Sequence, residues 1–289
     1  VTLQLAPEFR SVGMVRNMDI VDIDQDKDLD VVLALEWQSI CIFENKGGKF
    51  KQKSIDSAKG WWSAVKVLDI DLDGDQDILA GNVGLNARLK PSEKQPVRLY
   101  LGDFDANQKY DQVLSYYLED VEIPFANKME MEKQFPLIKK QFIYAKDFAK
   151  ATVKDFLDGK FTNGDVLEAN YFTSVVYLND GKGNFEKKPL PQLAQIAPIN
   201  TFEIVDLNKD KLPDVILGAN FYRCNIQMGR YDADYGTVLI NKGKGKFEVD
   251  EKYNLSLTGE LKSIKTINRK GKNSFIFSRN NEPVVILGF

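Results

Sequence analysis

Four nonamers in this 289-residue chain place oxygen-bearing side chains at positions 1, 3, 5 and 9. The first holds Asp22, Asp24, Asp26 and Asp30, with Asp28 at position 7; the second holds Asp69, Asp71, Asp73 and Asp77, with Asp75 at position 7. The third holds Asp103, Asp105, Asn107 and Asp111 around Lys109, and the fourth Asp206, Asn208, Asp210 and Asp214 around Leu212. A loop that turns alternate carboxylates inward and adds the position 7 carbonyl suits calcium, a hard cation taking about 6 to 8 oxygen ligands at about 2.3 to 2.6 Å. Magnesium would demand a stricter octahedron with retained waters. Four carboxylates packed without a cation would raise one another's pKa values, which argues against bare solvated turns. Up to four Ca2+ sites are therefore expected, with a structural role, because a fully coordinated ion has no open position for a substrate.

These loops are not EF-hands, which need flanking helices and a bidentate Glu at position 12. Position 12 here is Leu33, Ala80, Leu114 and Leu217, inside expected strands. Only the second loop has glycine, Gly74, at position 6; Lys27, Gln108 and Lys211 stand there in the others. A left-handed backbone at those residues costs about 1 kcal/mol or more. The expected order of affinity is the second loop, then the first, then the two whose Asn residues remove a charge, with dissociation constants of ~10⁻⁴ to 10⁻³ M.

Composition removes other chemistry. The chain has no histidine, which excludes Ser-His-Asp and Cys-His catalysis and His-ligated zinc. Formal net charge is −3, and no basic stripe points to nucleic acid. Every apolar run is interrupted well short of the ~20 residues needed to span a membrane as a helix. Cys41 and Cys224 are read as two free, buried thiols, although a disulfide between them is not excluded by sequence. The start at Val1 without a signal peptide fits a mature secreted product or a piece of a longer polypeptide.

The elements that must hold the loops repeat with them. A short strand-like run precedes each nonamer, and three are followed by continuous apolar runs, Val31 to Leu35, Ile78 to Ala80 and Val215 to Leu217, the pattern of strands buried on both faces. Gly-rich hairpins recur at Phe43 to Phe50, Leu178 to Phe185 and Ile240 to Phe247. Strand, Asp loop, buried strand, strand, Gly turn, strand makes one four-stranded propeller blade. The fold class is thus all-β: a β-propeller of about five blades over residues 1 to 289, or part of a larger one, with a helical insertion at about 126 to 160. In that insertion apolar residues from Phe135 to Phe156 recur at three and four, predicting a helix with Pro136 in its first turn and a stop at Gly159. Its Lys139, Lys140, Lys146, Lys150 and Lys154 could meet an acidic partner or a membrane surface, but a solvated outer face is the reading we take. The segment after Leu261 offers three strands without an Asp loop, and Val1 to Leu5 could supply a fourth.

Asp-x-Asp-x-Asp-Gly-x-x-Asp between β-strands resembles the FG-GAP/VCBS repeat family, over about residues 14 to 250. The blocks from Gly81 to Asn86 and Gly229 to Gly236 look like the C-terminal propeller region of long bacterial surface VCBS-repeat proteins. The resemblance implies an integrin-α-like calcium-binding propeller with a role in adhesion or in matrix or cell-surface assembly, on the bacterial outer surface and associated with the outer membrane without spanning it.

Because each Asp loop joins the first and second strands of a blade, the loops after the second strand leave at the opposite face. That face would gather Glu36, Trp37, Asn82, Asn86, Arg88, Tyr222, Arg223, Arg230, Tyr231, Asp232 and Tyr235. Aromatic and Arg residues anchor interfaces and suit sugar faces, although the same residues could merely cap strand ends. The leading expectation is a non-catalytic extracellular module that binds protein or glycan. The alternative is a polysaccharide lyase or glycosidase with Glu36 or Asp232 as acid/base and Arg88 or Arg223 neutralising substrate carboxylates.

Overall fold

The computed structural model describes residues 6–157, 164–253, 255–269 and 272–288. The strand expected at Val1 to Leu5 and the helix stop at Gly159 lie outside them. The chain forms two compact units, one of residues 1–88 with 172–289 and the other of residues 89–171.

In the first unit, β1 (Met14–Val21), β2 (Asp30–Gln38), β3 (Cys41–Lys46) and β4 (Lys49–Ser54) form an antiparallel meander, and the short β5 (Gly60–Trp61) pairs with the end of β2. A 3-10 turn at Pro7–Phe9 lays Phe9 on this sheet, stacked 4.4 Å from Phe43. The next blade begins with β6 (Ala64–Leu68) and β7 (Asp77–Gly81). Here the chain departs to build the second unit. That unit holds β8 (Val97–Gly102), β9 (Asp111–Leu118) and β10 (Val121–Pro124), then α1 (Lys128–Gln134), α2 (Ile138–Gln141), α3 (Ala145–Phe148) and α4 (Val153–Leu157), and closes with β11 (Asp165–Ala169) in the sheet order β10-β9-β8-β11. On return, β12 (Val175–Asn179) and β13 (Phe185–Pro189) complete the interrupted blade, giving β13-β12-β7-β6.

A third blade follows as β14 (Ile199–Val205), β15 (Asp214–Ala219), β16 (Val238–Asn241) and β17 (Phe247–Val249), and a three-stranded sheet ends the chain with β18 (Leu261–Arg269), β19 (Lys272–Arg279) and β20 (Glu282–Gly288). Among the described residues this makes five antiparallel sheets, propeller-like blades as the repeats imply. The second strands β7 and β15 are buried at every residue, because each is covered on both faces. Within the first unit the first strands of consecutive sheets lie side by side. Val67 N–H on β6 donates to Asp19 on β1 at 2.9 Å, Ser63 hydroxyl donates to Ile199 O at 2.6 Å, and Asn200 Nδ2 donates to Leu261 O at 2.9 Å. Between the sheets lie apolar layers: Leu79, Val176, Ile199, Phe202 and Leu217 in one, and Ile216, Val238, Ile264, Phe275 and Phe277 in the next.

One expectation needs correction. The periodicity from Phe135 to Phe156 does not make one helix. Phe135 is the C-cap of α1, at φ −125° and ψ 87°, because the residue before Pro136 is driven out of the α region. The chain breaks again at Phe142, also extended. The apolar residues still meet, since Phe135, Ile138, Phe148, Val153 and Phe156 share one core with Phe104 and Val113, and the five lysines are exposed. The strands around the third Asp loop belong to the unit whose residues lie in sequence between β7 and β12. No helix among the described residues is long and apolar enough to cross a membrane. Both cysteines are free; Cys41 is buried, whereas Cys224 is partly exposed and lies in a loop.

Candidate metal centres and the opposite cleft

All four Asp loops share one backbone, and the position 1 carboxylate makes it. Asp22 accepts the N–H groups of Asp26 and Lys27 at 3.0 and 2.9 Å, and Asp69 those of Asp73 and Gly74 at 3.1 and 3.0 Å. Asp103 accepts from Asn107 and Gln108 at 3.0 and 2.8 Å, and Asp206 from Asp210 and Lys211, both at 3.1 Å. Wrapping the chain this tightly requires left-handed residues. Position 6 has φ of 79°, 101°, 65° and 75° in Lys27, Gly74, Gln108 and Lys211, and position 4 has 61°, 60°, 59° and 64° in Gln25, Leu72, Ala106 and Lys209.

The position 9 carboxylate closes each loop onto the sheet. Asp30, Asp77, Asp111 and Asp214 are buried, and each accepts the position 2 amide through one oxygen, from Ile23, Ile70, Phe104 and Leu207 at 2.8 to 3.1 Å. In the first unit the other oxygen accepts a backbone N–H from the end of the third strand: Asn45 at 2.7 Å, Asn179 at 2.8 Å and Asn241 at 2.9 Å. In the second unit Gln134 Nε2 of α1 takes that place at 3.5 Å.

The result gathers negative charge. One carboxylate oxygen from each of Asp22, Asp24 and Asp30 lies within 4.8 Å of the others, and the same holds for Asp69, Asp71 and Asp77 and for Asp103, Asp105 and Asp111. Burial pushes Asp77 up to about 6, against the amides of Asn179 and Ile70 that hold it down, with Asp71 and Asp73 adding to the rise. Asp30, Asp111 and Asp214 are raised for the same first reason, and Asp71 by burial and then by Asp73 and Asp69. In the second loop Asp71 Oδ1 is buried with no hydrogen-bond partner. A buried acceptor left without a donor costs about 1 to 3 kcal/mol, and a cation among these oxygens relieves both it and the mutual repulsion. The donor set is oxygen throughout, so the residues fit a hard divalent cation. In the fourth loop Asn208 Nδ2 donates to Asp210 at 2.8 Å, and Asp206, Asp210 and Asp214 do not form such a three-carboxylate group.

An Asp-x-Asp-x-Asp loop between paired strands, locked by its ninth residue to the third strand, is the repeating device of this chain. Residues 22–80 match the family described as an FG-GAP-like repeat. A comparison of the chain with curated proteins found no match. The FG-GAP-like segment runs from the first loop through the second, and its device has a member that the reading of the sequence passed over. Asn45, Asn179 and Asn241 open the Gly-rich hairpins, ahead of their glycines. Their Nδ2 groups donate to the position 8 carbonyls of Leu29, Gln76 and Pro213 at 3.1 to 3.2 Å, and their Oδ1 atoms accept from Gly48, Gly181 and Gly243. The signal was the Asn two or three residues ahead of a glycine in all three hairpins.

Residues expected on the opposite face divide into two groups. Asn82 is fully buried and its side chain accepts from the Trp61 and Val83 amides, so it holds backbone. Trp37 is buried at φ 68° and packs edge-on to Trp61, 5.2 Å between ring centres. Asn86 donates to Ile196 O and Arg88 to Gln227 O. Arg230 lies 3.5 Å over the Tyr222 ring, with exposed Asp232 3.8 Å from it, and Tyr235 is exposed. Glu36, Arg223 and Tyr231 do come together, in a cleft of about 250 Å³ that also takes in Arg16, Trp61 and Phe221. The cleft lies at the N-terminal ends of the first strands, whereas the Asp loops follow their C-terminal ends.

Proposed function

We propose that this chain is a calcium-stiffened, non-catalytic binding and scaffolding module that works outside the cytoplasm, at a bacterial cell surface, and engages protein or glycan through the face opposite its Asp loops. The observation that carries it is the three-carboxylate cluster of the second loop, whose Asp71 holds a buried oxygen with no partner. Asp69, Asp71, Asp73 and Asp77, with the Asp75 carbonyl, would hold the strongest ion. In the first loop Lys46 Nζ already stands 3.4 Å from Asp24, a competitor that the ion must displace. Calcium supplies charge neutralisation here and rigidity to the two strands each loop joins. Sites this weak fill only where calcium is millimolar, which supports an extracellular location.

Glu36, one candidate acid/base, is held by Arg16 at 3.3 Å, and Asp232, the other, is not among the residues lining the cleft, so the pair offers no support for a glycosidase or lyase. Thermal unfolding tests the calcium reading. At a calcium concentration a hundredfold above the dissociation constant, the ion stabilises by about 2.7 kcal/mol per site, worth about 5 to 10 °C in a domain of this size. Equal Tm values in calcium and in EGTA would overturn it.

A further inference from the structure

The cleft opposite the Asp loops combines mostly apolar walls with an unpaired cation at its exposed side. Trp61 forms part of the wall, its indole Nε1 buried out of reach of solvent. Arg223 stands at the exposed side of the cleft with no ion pair or hydrogen bond among the described residues. The Tyr231 hydroxyl likewise makes no hydrogen bond among the described residues. Two arginines line the cleft against one glutamate, and since Arg16 is committed to Glu36, Arg223 leaves a net positive charge.

A guanidinium is a donor only. What satisfies Arg223 from within the cleft is an anion whose oxygens are acceptors only. The remaining wall joins Phe221, Val83, Pro198 and Met228 to the polar Ser63, Asn200 and Asn225; Ser63 and Asn200 already donate to Ile199 O and to Asn220 O and Leu261 O, so a sugar would lose hydration there with little replacement. A volume of about 250 Å³ accommodates one ring or branched chain with its charged group. We infer that this cleft binds a carboxylate carried on an apolar, preferably aromatic, group, with Arg223 holding the carboxylate at the exposed side and the aromatic walls, Trp61 among them, holding its body. The inference deepens the binding-face reading above and rests on it for the face, but not on calcium for the contact.

The experiment uses the calcium-loaded chain and phenylacetate, followed by the Trp61 indole N–H resonance, assigned by its loss in Trp61→Phe. The expected result is saturable binding in the range of about 1 mM, with a shift of that resonance from the aromatic ring packed against Trp61 and a loss of about tenfold or more in Arg223→Gln, the size of a charge-assisted hydrogen bond. A peptide ending in phenylalanine with a free carboxylate, compared with its amide, separates the two sources of this chemistry. Tighter binding of the free-carboxylate peptide than of phenylacetate assigns a polypeptide terminus, and binding of phenylacetate alone assigns a free acid. Equal affinity for the neutral 2-phenylethanol, tighter binding of glucuronate, or no saturation by phenylacetate overturns the inference. Since the calcium-dependent Tm is measured on the same samples, failure here leaves the scaffold reading separately decided.

Discussion

At the level of single residues, chemistry in this chain is set by which oxygen faces inward and which backbone angle lets it do so. Positions 1, 3, 5 and 9 were legible because only side chains that carry oxygen can serve there. Position 6 was legible only in part, through Gly74. The equally left-handed position 4 was not, because Gln25, Leu72, Ala106 and Lys209 are chemically unrelated and carry no common sign of that angle. The strain gives a two-way prediction. Gly74 has open space where a Cβ would stand, so Gly74→Ala should cost about 1 to 2 kcal/mol purely through its φ of 101°. Lys27→Gly, relieving φ 79°, should gain up to about 1 kcal/mol, less what glycine adds to unfolded-chain entropy. Urea midpoints of the two variants check both signs. Asn241 supports a further prediction: its buried Nδ2 donates to Ile70 O at 2.8 Å and Pro213 O at 3.2 Å, tying the second Asp loop to the third blade. Asn241→Ala strands both carbonyls and should destabilise by about 2 to 3 kcal/mol, whereas Asn241→Asp, which keeps the size, should fail equally because it cannot donate.

At the level of elements, strands were legible and helices were not. Runs such as Val215 to Leu217 read correctly as strands because burial on both faces leaves no polar residue to confuse the period. The insertion misled because apolar spacing of three and four survives when a helix is broken, provided each fragment returns its apolar side to the same core. Phe135 and Phe156 still meet edge-on, 5.1 Å between ring centres, although separate helices carry them. The Pro136 that looked like a first-turn residue in fact ends the preceding helix, a distinction that composition alone does not make. The same unit is held by a polar network unannounced in the sequence. Arg98 on β8 pairs with Glu122 at 2.9 Å and Glu168 at 2.8 Å, and Tyr100 and Ser115 hydroxyls donate to Glu122. Burial and Glu122 drive the Tyr100 hydroxyl well above its usual range. Arg98→Met leaves two half-buried carboxylates facing each other and should cost about 2 kcal/mol, discounted from the fully buried case because all three side chains keep some exposure. Hydrogen exchange should show the loss in β8 to β11 while β14 to β17 keep their protection.

For the chain as a whole, the repeats in sequence foretold the class of fold but not which strands pair. Apolar runs identify strands but not their partners. β7 pairs with β12, Ile78 opposite Tyr177, across the whole inserted unit, and nothing in either run marks the other. The third Asp loop, though it repeats the others, belongs to the separate sheet β10-β9-β8-β11, whose strands lie in sequence between β7 and β12. The central claim is that calcium fills the Asp loops and fixes the strands they join. Crystals grown in millimolar calcium and measured at a long X-ray wavelength test it most directly. The account predicts an anomalous peak about 2.3 to 2.6 Å from the carboxylates of Asp69, Asp71 and Asp77, the strongest in the chain, with weaker peaks at the first and third loops. Carboxylates there bridged only by water or lysine, with no such peak, would contradict it.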